Sequence, residues 1–232
     1  MKKQVMVLSA VLGVASLGWA ADKTPKEAAT DRLDNAANVL HAVMDAPDKG
    51  VPSEVMDHAK CVAVVPHMVK GGFVFGAEGG KGVATCRTEH GWSAPAFFIV
   101  VGGSWGLQIG VEGVDLVMVF QNDKGMEKLL SSKFKLGADA SAAAGPVGRH
   151  ASAATDWKMN EEILTYSRAK GVFAGLTLNG ADVHADGDAM RAMYGEDVTF
   201  RSVLGGSVPP PASSHAFLSA VRGAHAQAMA AH

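Results

Sequence analysis

Gly102-Gly103-Ser104-Trp105-Gly106 matches the G-x-S-x-G pattern of a nucleophile elbow. An elbow sets its serine on a sharp turn between a strand and a helix, where a general base can reach the hydroxyl. Ala96 to Val101 is strand-like, but Leu107-Gln108-Ile109-Gly110-Val111 continues as a strand, so a glycine-rich β-hairpin accounts for the same residues. His184 with Asp182, or His150 with Asp156, could complete a triad, and no spacing favours either pair. A serine hydrolase at Ser104 therefore ranks third among the functional readings.

Other chemistry is weaker still. Gly76-Ala77-Glu78-Gly79-Gly80-Lys81-Gly82 suggests a phosphate cradle, yet Phe75 stands where a P-loop needs its first glycine and Gly82 where it needs Ser or Thr. A tight hairpin is the expected use. The nine histidines include no H-x-x-x-H or H-E-x-x-H spacing, so no metal site and no cofactor is expected. Glu161 and Glu162 are adjacent on an expected helix and point to different faces, as solvated carboxylates do. Cys61 and Cys86 lack C-x-x-C spacing. In an oxidising compartment they would pair, setting the strands around 61 and 86 side by side, while two buried free thiols remain the alternative.

The compartment is read from the start of the chain. Lys2 and Lys3, the apolar run from Val5 to Leu17, and the small residues Gly18 and Ala20 have the order of a secretory signal cut after Ala20. The expected location is the periplasm or cell envelope. No cysteine follows the cut to be acylated. Removing Lys2 and Lys3 from the 21 Lys and Arg leaves 19 against 23 Asp and Glu, about −4, which argues against a nucleic-acid partner.

The elements that would position these residues read as α+β: a glycine-rich antiparallel sheet with flanking helices in a single compact domain. Thr24, Pro25 and Glu27 form a helix start with a capping box, and Leu33, Ala36, Ala37, Leu40, Val43 and Met44 recur at helical spacing. A short helical segment follows at Pro52 to Lys60. Strands are expected at Cys61–Val65, Gly72–Phe75, Gly82–Arg87, Ala94–Val101, Gly106–Val111 and Val114–Phe120, joined as a meander by glycine turns. Helices are expected at 123–131, at Glu161–Lys170 and at Asp186–Tyr194. Residues 171–180 should form a hairpin with Ala181–Ala185 through an Asn-Gly turn. The domain is bounded at 21–206, and 207–232 reads as a proline break and an Ala/His-rich terminal helix, expected to be variable or mobile.

Several segments together resemble the SYLF family, whose eukaryotic members include the Ysc84-type actin- and lipid-binding domain. They are Ala59-Lys60-Cys61-Val62-Ala63-Val64-Val65-Pro66, Gly91-Trp92-Ser93-Ala94-Pro95, Gly106-Leu107-Gln108-Ile109-Gly110, Ala144-Gly145-Pro146-Val147-Gly148-Arg149 and Tyr166-Ser167-Arg168-Ala169-Lys170-Gly171-Val172-Phe173-Ala174-Gly175, with Met193-Tyr194-Gly195 following. The resemblance spans residues 26–206. It implies phospholipid binding, notably of phosphoinositides, through an N-terminal amphipathic segment and basic residues, without catalysis. For an exported chain the expected partner becomes another anionic phospholipid or membrane surface, and actin is not expected. Lys26 and Arg32 on the first helix, Lys70 and Lys81 beside glycine pairs, and Arg149 after Gly145-Pro146 are the candidate lipid contacts, since a cation beside exposed backbone N–H groups suits a phosphate. A module for an unidentified envelope protein is the second reading.

Overall fold

The structure, a computed structural model, describes residues 23–46, 50–72, 75–105, 110–146, 161–169, 172–175 and 180–230. The expected signal segment, Arg149 and the pair His150 and Asp156 lie outside them. Helix α1 runs Pro25–Met44 and α2 Ser53–Asp57, followed by β1 Cys61–Gly72, β2 Phe75–Thr88, β3 Gly91–Trp92, β4 Ala96–Trp105 and β5 Gly110–Phe120. Then come α3 Asp123–Leu130, β6 Lys133–Lys135, β7 Ala142–Ala144, β8 Ile163–Ala169, β9 Val172–Gly175, β10 Asp182–Ala185, α4 Gly187–Tyr194, α5 Phe200–Leu204 and α6 His215–Ala230.

The α1 capping box forms as its residues require: the Thr24 hydroxyl accepts from the Glu27 N–H, and the Glu27 carboxylate accepts from the Thr24 N–H. Asn122 and Asp186 cap α3 and α4 in the same way, each accepting an N–H three residues on.

The sheet order is β6-β10-β4-β2-β1-β5-β8-β7, with β3 on β2 and β9 on β8. Strands β1, β2 and β4 do form a meander, but β5 returns to the far side of β1. The result is a Greek key, not the simple meander that the glycine spacing suggested. The sheet curls strongly. The ring of Phe134 on β6 meets that of Phe120 on β5 with centroids 6.3 Å apart, although five strand spacings of ~4.8 Å separate those strands in a flat sheet. One face thus becomes an interior, packed with Cys61, Ala63, Met68, Ala84, Cys86, Phe98, Val100, Met118, Phe120, Phe134 and Val183.

Three expectations fail for identifiable reasons. Gly71-Gly72, Gly79-Gly80, Gly102-Gly103 and Gly113 lie inside strands, so the described parts of the six expected strands fall in four longer ones, while residues 73–74 and 106–109 of the expected strands lie outside those described. At Gly82 a Cβ would lie 2.4 Å from the Phe98 ring and 2.8 Å from the Val64 carbonyl oxygen, so this glycine permits close packing and not a turn. Second, 163–169 is strand β8 and not a helix. It pairs with β5 and β7, and all of Ile163 to Ser167 is buried, a short apolar run whose periodicity does not distinguish the two. Third, β9 pairs with β8 while β10 inserts between β4 and β6, so the described residues 172–175 and 182–185 do not pair as the expected hairpin, whose residues 176–179 lie outside those described. Gly180 does turn at φ +88°, but its N–H goes to Leu136.

Helix α6 is packed rather than peripheral: Phe217, Leu218, Val221 and Ala224 are buried, with α1 and α2 as neighbours.

Candidate functional site

A β-bulge divides the long strands. Val65 of β1 faces Leu116 of β5 and Met68 faces Val114, so Pro66 and His67 together oppose Asp115 alone. His67 takes a positive φ of 54°, and its N–H donates to Asp115 Oδ1 at 3.0 Å. Arg168 holds the other carboxylate oxygen from Nε at 2.9 Å. The Tyr166-Ser167-Arg168 segment therefore fixes the bulge. On one side of it every strand residue from Cys61 to Val65 is fully buried, between the sheet interior and the helices. On the other side the exterior face is open at Val69 and Val101, the described strand valines that stand half exposed.

That open face is read from the register. One row runs Gly113, Val69, Gly79, Val101, Asp182 and Lys135 across β5, β1, β2, β4, β10 and β6. Val69 is 50% and Val101 49% exposed, the largest apolar side chains so open in the described sheet. A Cβ on Gly113 would meet nothing within 4 Å, and one on Gly79 only the Val100 carbonyl oxygen at 3.6 Å, so the row is open at both glycines. The next row toward the helices is Lys81, Ile99, His184 and Lys133. Lys81, Lys133 and Lys135 are all exposed, with the Lys135 ammonium 3.7 Å from Asp182. Lys133 and Lys135 were not singled out from sequence, although lysines alternating around the buried Phe134 are the signature of an edge strand.

Two expected contacts converge on one carboxylate. Arg32 Nη1 lies 3.0 Å from Asp186 Oδ2, with side chains only 9% and 4% exposed, and its guanidinium sits 5.4 Å over the Phe97 ring. Burial pushes the arginine pKa down, and Asp186 opposes that shift. Arg32 is thus a structural ion pair joining α1 to the cap of α4, withdrawn from the surface where a headgroup would lie. Lys81 reaches the same oxygen at 3.8 Å but is 62% exposed. With Arg32 already neutralising Asp186, Lys81 brings a surplus positive charge to the rim.

The other candidates are dispersed. Lys26 is exposed on the first turn of α1, near the exposed Lys23–Asp31 ion pair. Lys70 stands in β1 opposite Glu78 and Glu112 in register, a cation position between two acidic ones. Ser104 lies within strand β4, opposite Gly76, and not on an elbow. His184 faces Ile99, five residues away along β4, or about 17 Å at the rise of a strand. Among the described residues no three His, Cys, Asp or Glu gather as metal ligands. Cys61 and Cys86 are directly opposed in register and form a buried disulfide, Cα to Cα 4.0 Å. A cleft of about 690 Å³ opens at this disulfide end, but its cations are committed: Lys60 to Asp123 at 3.1 Å and Arg87 to the Asp57 carbonyl oxygen at 3.0 Å.

The described residues form an α+β domain whose distinctive surface is a sheet face open at Val69 and Val101. The chain belongs to the Ysc84 family, described as "Las17-binding protein actin regulator", which matches residues 101–224, and SYLF is the name of the same domain. It is 33% identical over 172 residues to "SH3 domain-containing YSC84-like protein 1" of Rattus norvegicus, covering 73% of this chain and 50% of that protein. It is 32% identical over 168 residues to "LAS seventeen-binding protein 3" of Saccharomyces cerevisiae, covering 71% and 36%. "Protein YSC84" of the same yeast is 33% identical over 171 residues, covering 72% and 36%. The chain spans half or less of the length of these curated relatives.

Proposed function

We propose that this chain is a non-enzymatic phospholipid-binding protein of the bacterial envelope that recognises an anionic bilayer. The observation that carries the reading is the pair Val69 and Val101, half exposed on one row with exposed lysines beside them. Apolar area with cations at its margin suits an interface where acyl chains and phosphates meet, because lysine stems cover apolar surface while their ammoniums reach out to the headgroups. Export rests on the n-, h- and c-region pattern of residues 1–20. In that compartment phosphatidylglycerol and cardiolipin are the available anionic lipids, and actin is not a partner.

Flotation of the protein with vesicles of phosphatidylglycerol and phosphatidylcholine, against phosphatidylcholine alone, tests the reading. Retention on the anionic vesicles at low salt is expected, and no retention there would overturn it. A second reading, a docking module for an envelope protein, draws support from relatives named for binding Las17. One stoichiometric crosslinked partner, in a protein that ignores vesicles, is the result that favours it.

A further inference from the structure

We infer that the bilayer is met by the exterior sheet face around Val69 and Val101, while α1 stays docked; the inference rests on the lipid reading above. A membrane-binding helix must offer its apolar stripe. In α1 that stripe is Ala29, Leu33, Ala36, Ala37, Leu40 and Val43, all buried in the core, and Arg32 on the same helix is tied to Asp186. Its outward residues are of mixed charge, with Lys23 paired to Asp31 and Glu27 committed to the cap. Releasing the stripe would open the core and strand two buried charges. The sheet face needs no rearrangement: its valines are already half exposed, and a Cβ would meet nothing within 4 Å at Gly113 and only the Val100 carbonyl oxygen at Gly79.

Charge decides which occupant fits. Lys81 is a surplus cation, Lys133 stands one residue pair from it across Ile99 and His184, and Lys135 extends the edge. Asp182 opposes Lys135, and Asp139 accepts the Lys135 N–H at 2.7 Å. These two carboxylates are on short side chains close to the backbone, whereas the lysine ammoniums extend on long stems. The face therefore combines an apolar centre with a modest cationic margin, and its binding should depend more on the valines than on the lysines.

The test is partition of the full chain onto phosphatidylglycerol/phosphatidylcholine vesicles, with hydrogen exchange of the bound protein. Val69→Asp with Val101→Asp should lower partition at least tenfold. Lys81→Gln with Lys133→Gln should lower it a few-fold, an effect that disappears at high salt, and Lys26→Gln should leave it unchanged. New protection on binding should appear at residues 69, 77–81 and 99–103 and not along 25–44. Wild-type partition by the valine variant, or protection confined to α1, overturns the inference and leaves the lipid reading standing. Failure of the wild-type chain to bind these vesicles overturns the lipid reading, and the face assignment with it. Circular dichroism shows whether the valine variant folds; if it does not, the exchange pattern of the wild type decides.

Discussion

The same four strands, β1, β2, β4 and β5, live in two environments on either side of the Pro66–His67 bulge. On the disulfide side, Val62, Val64, Val83, Phe97, Val117 and Val119 are buried under helices on the exterior, while Cys61, Ala84, Cys86 and Phe120 fill the interior. On the far side the same ladder carries several glycines, the charged positions Lys70, Glu78 and Glu112, and the half-exposed Val69 and Val101. Backbone pairing between β2 and β4 runs unbroken across both, while β1 is interrupted at the bulge and resumes beyond it in a shifted register. The difference teaches that the sheet's stability is anchored at one end, through side chains, so that the other end is free to present a surface.

The first way to break this division is to unlock its cover. Asp186→Ala leaves Arg32 buried without its partner and removes the α4 cap, so it should cost about 3–5 kcal/mol in urea unfolding. A loss below about 1 kcal/mol would mean that burial of the α1 stripe alone holds the cover. The disulfide comes next. Its cysteines are 25 residues apart, and cross-linking a loop of that size stabilises by about 3–4 kcal/mol in the chain-entropy account. Cys61→Ala with Cys86→Ala should therefore lower the urea midpoint strongly while leaving vesicle partition of the folded fraction intact. Equal loss of both would show that the two halves are not energetically separate.

Glycine sharpens the comparison at smaller scale. Gly82→Ala places a methyl against the Phe98 ring and the Val64 carbonyl, and should destabilise by about 1–3 kcal/mol as overpacking does. Gly113→Ala meets empty space and should be neutral or stabilising by about 0.5 kcal/mol, because the unfolded chain loses freedom. Thermal unfolding of the two variants separates them, and similar melting shifts would contradict a covered and an uncovered half.

Much of the covered half was legible in sequence. The α1 capping box and the apolar runs at 97–101 and 114–120 follow from local chemistry and period, while the pairing of Cys61 with Cys86 was expected only for an oxidising compartment. What was not legible depends on partners distant in the chain. Gly79-Gly80 reads as a turn until Val65 is known to lie where a Cβ on Gly80 would sit, 2.5 Å from Val65 Cγ1. Residues 163–169 read as a helix until β5 and β7 claim their backbone. The candidate contacts divide in the same way: Lys81, singled out because it sits beside glycines, is exposed, whereas Arg32 looked like a surface cation because nothing in its helix reveals Asp186. Lys133, Lys135, Val69 and Val101 come from three strands that only the Greek key and the inserted β10 bring together.

The smallest expected effect probes how the helical cover closes over the disulfide end. His225 of α6 packs edge-on to Trp92, with centroids 6.2 Å apart, and its Nε2 lies 3.8 Å from Asp57. Burial lowers its pKa below the ordinary 6.5, Arg87 lowers it further, and Asp57 pulls the other way. The unfolded chain therefore takes up the proton first as pH falls. The His225 contribution to stability is intact above about pH 6.5 and is lost progressively below it, down through the folded-state value. The effect should be small because the ring is 23% exposed and keeps part of its hydration. Urea midpoints at pH 7.5 and 5.5 should differ in that direction, and the part due to this ring should vanish in His225→Phe. A slope unchanged by that substitution would place the acid sensitivity elsewhere and make α6 a passive lid over the covered half.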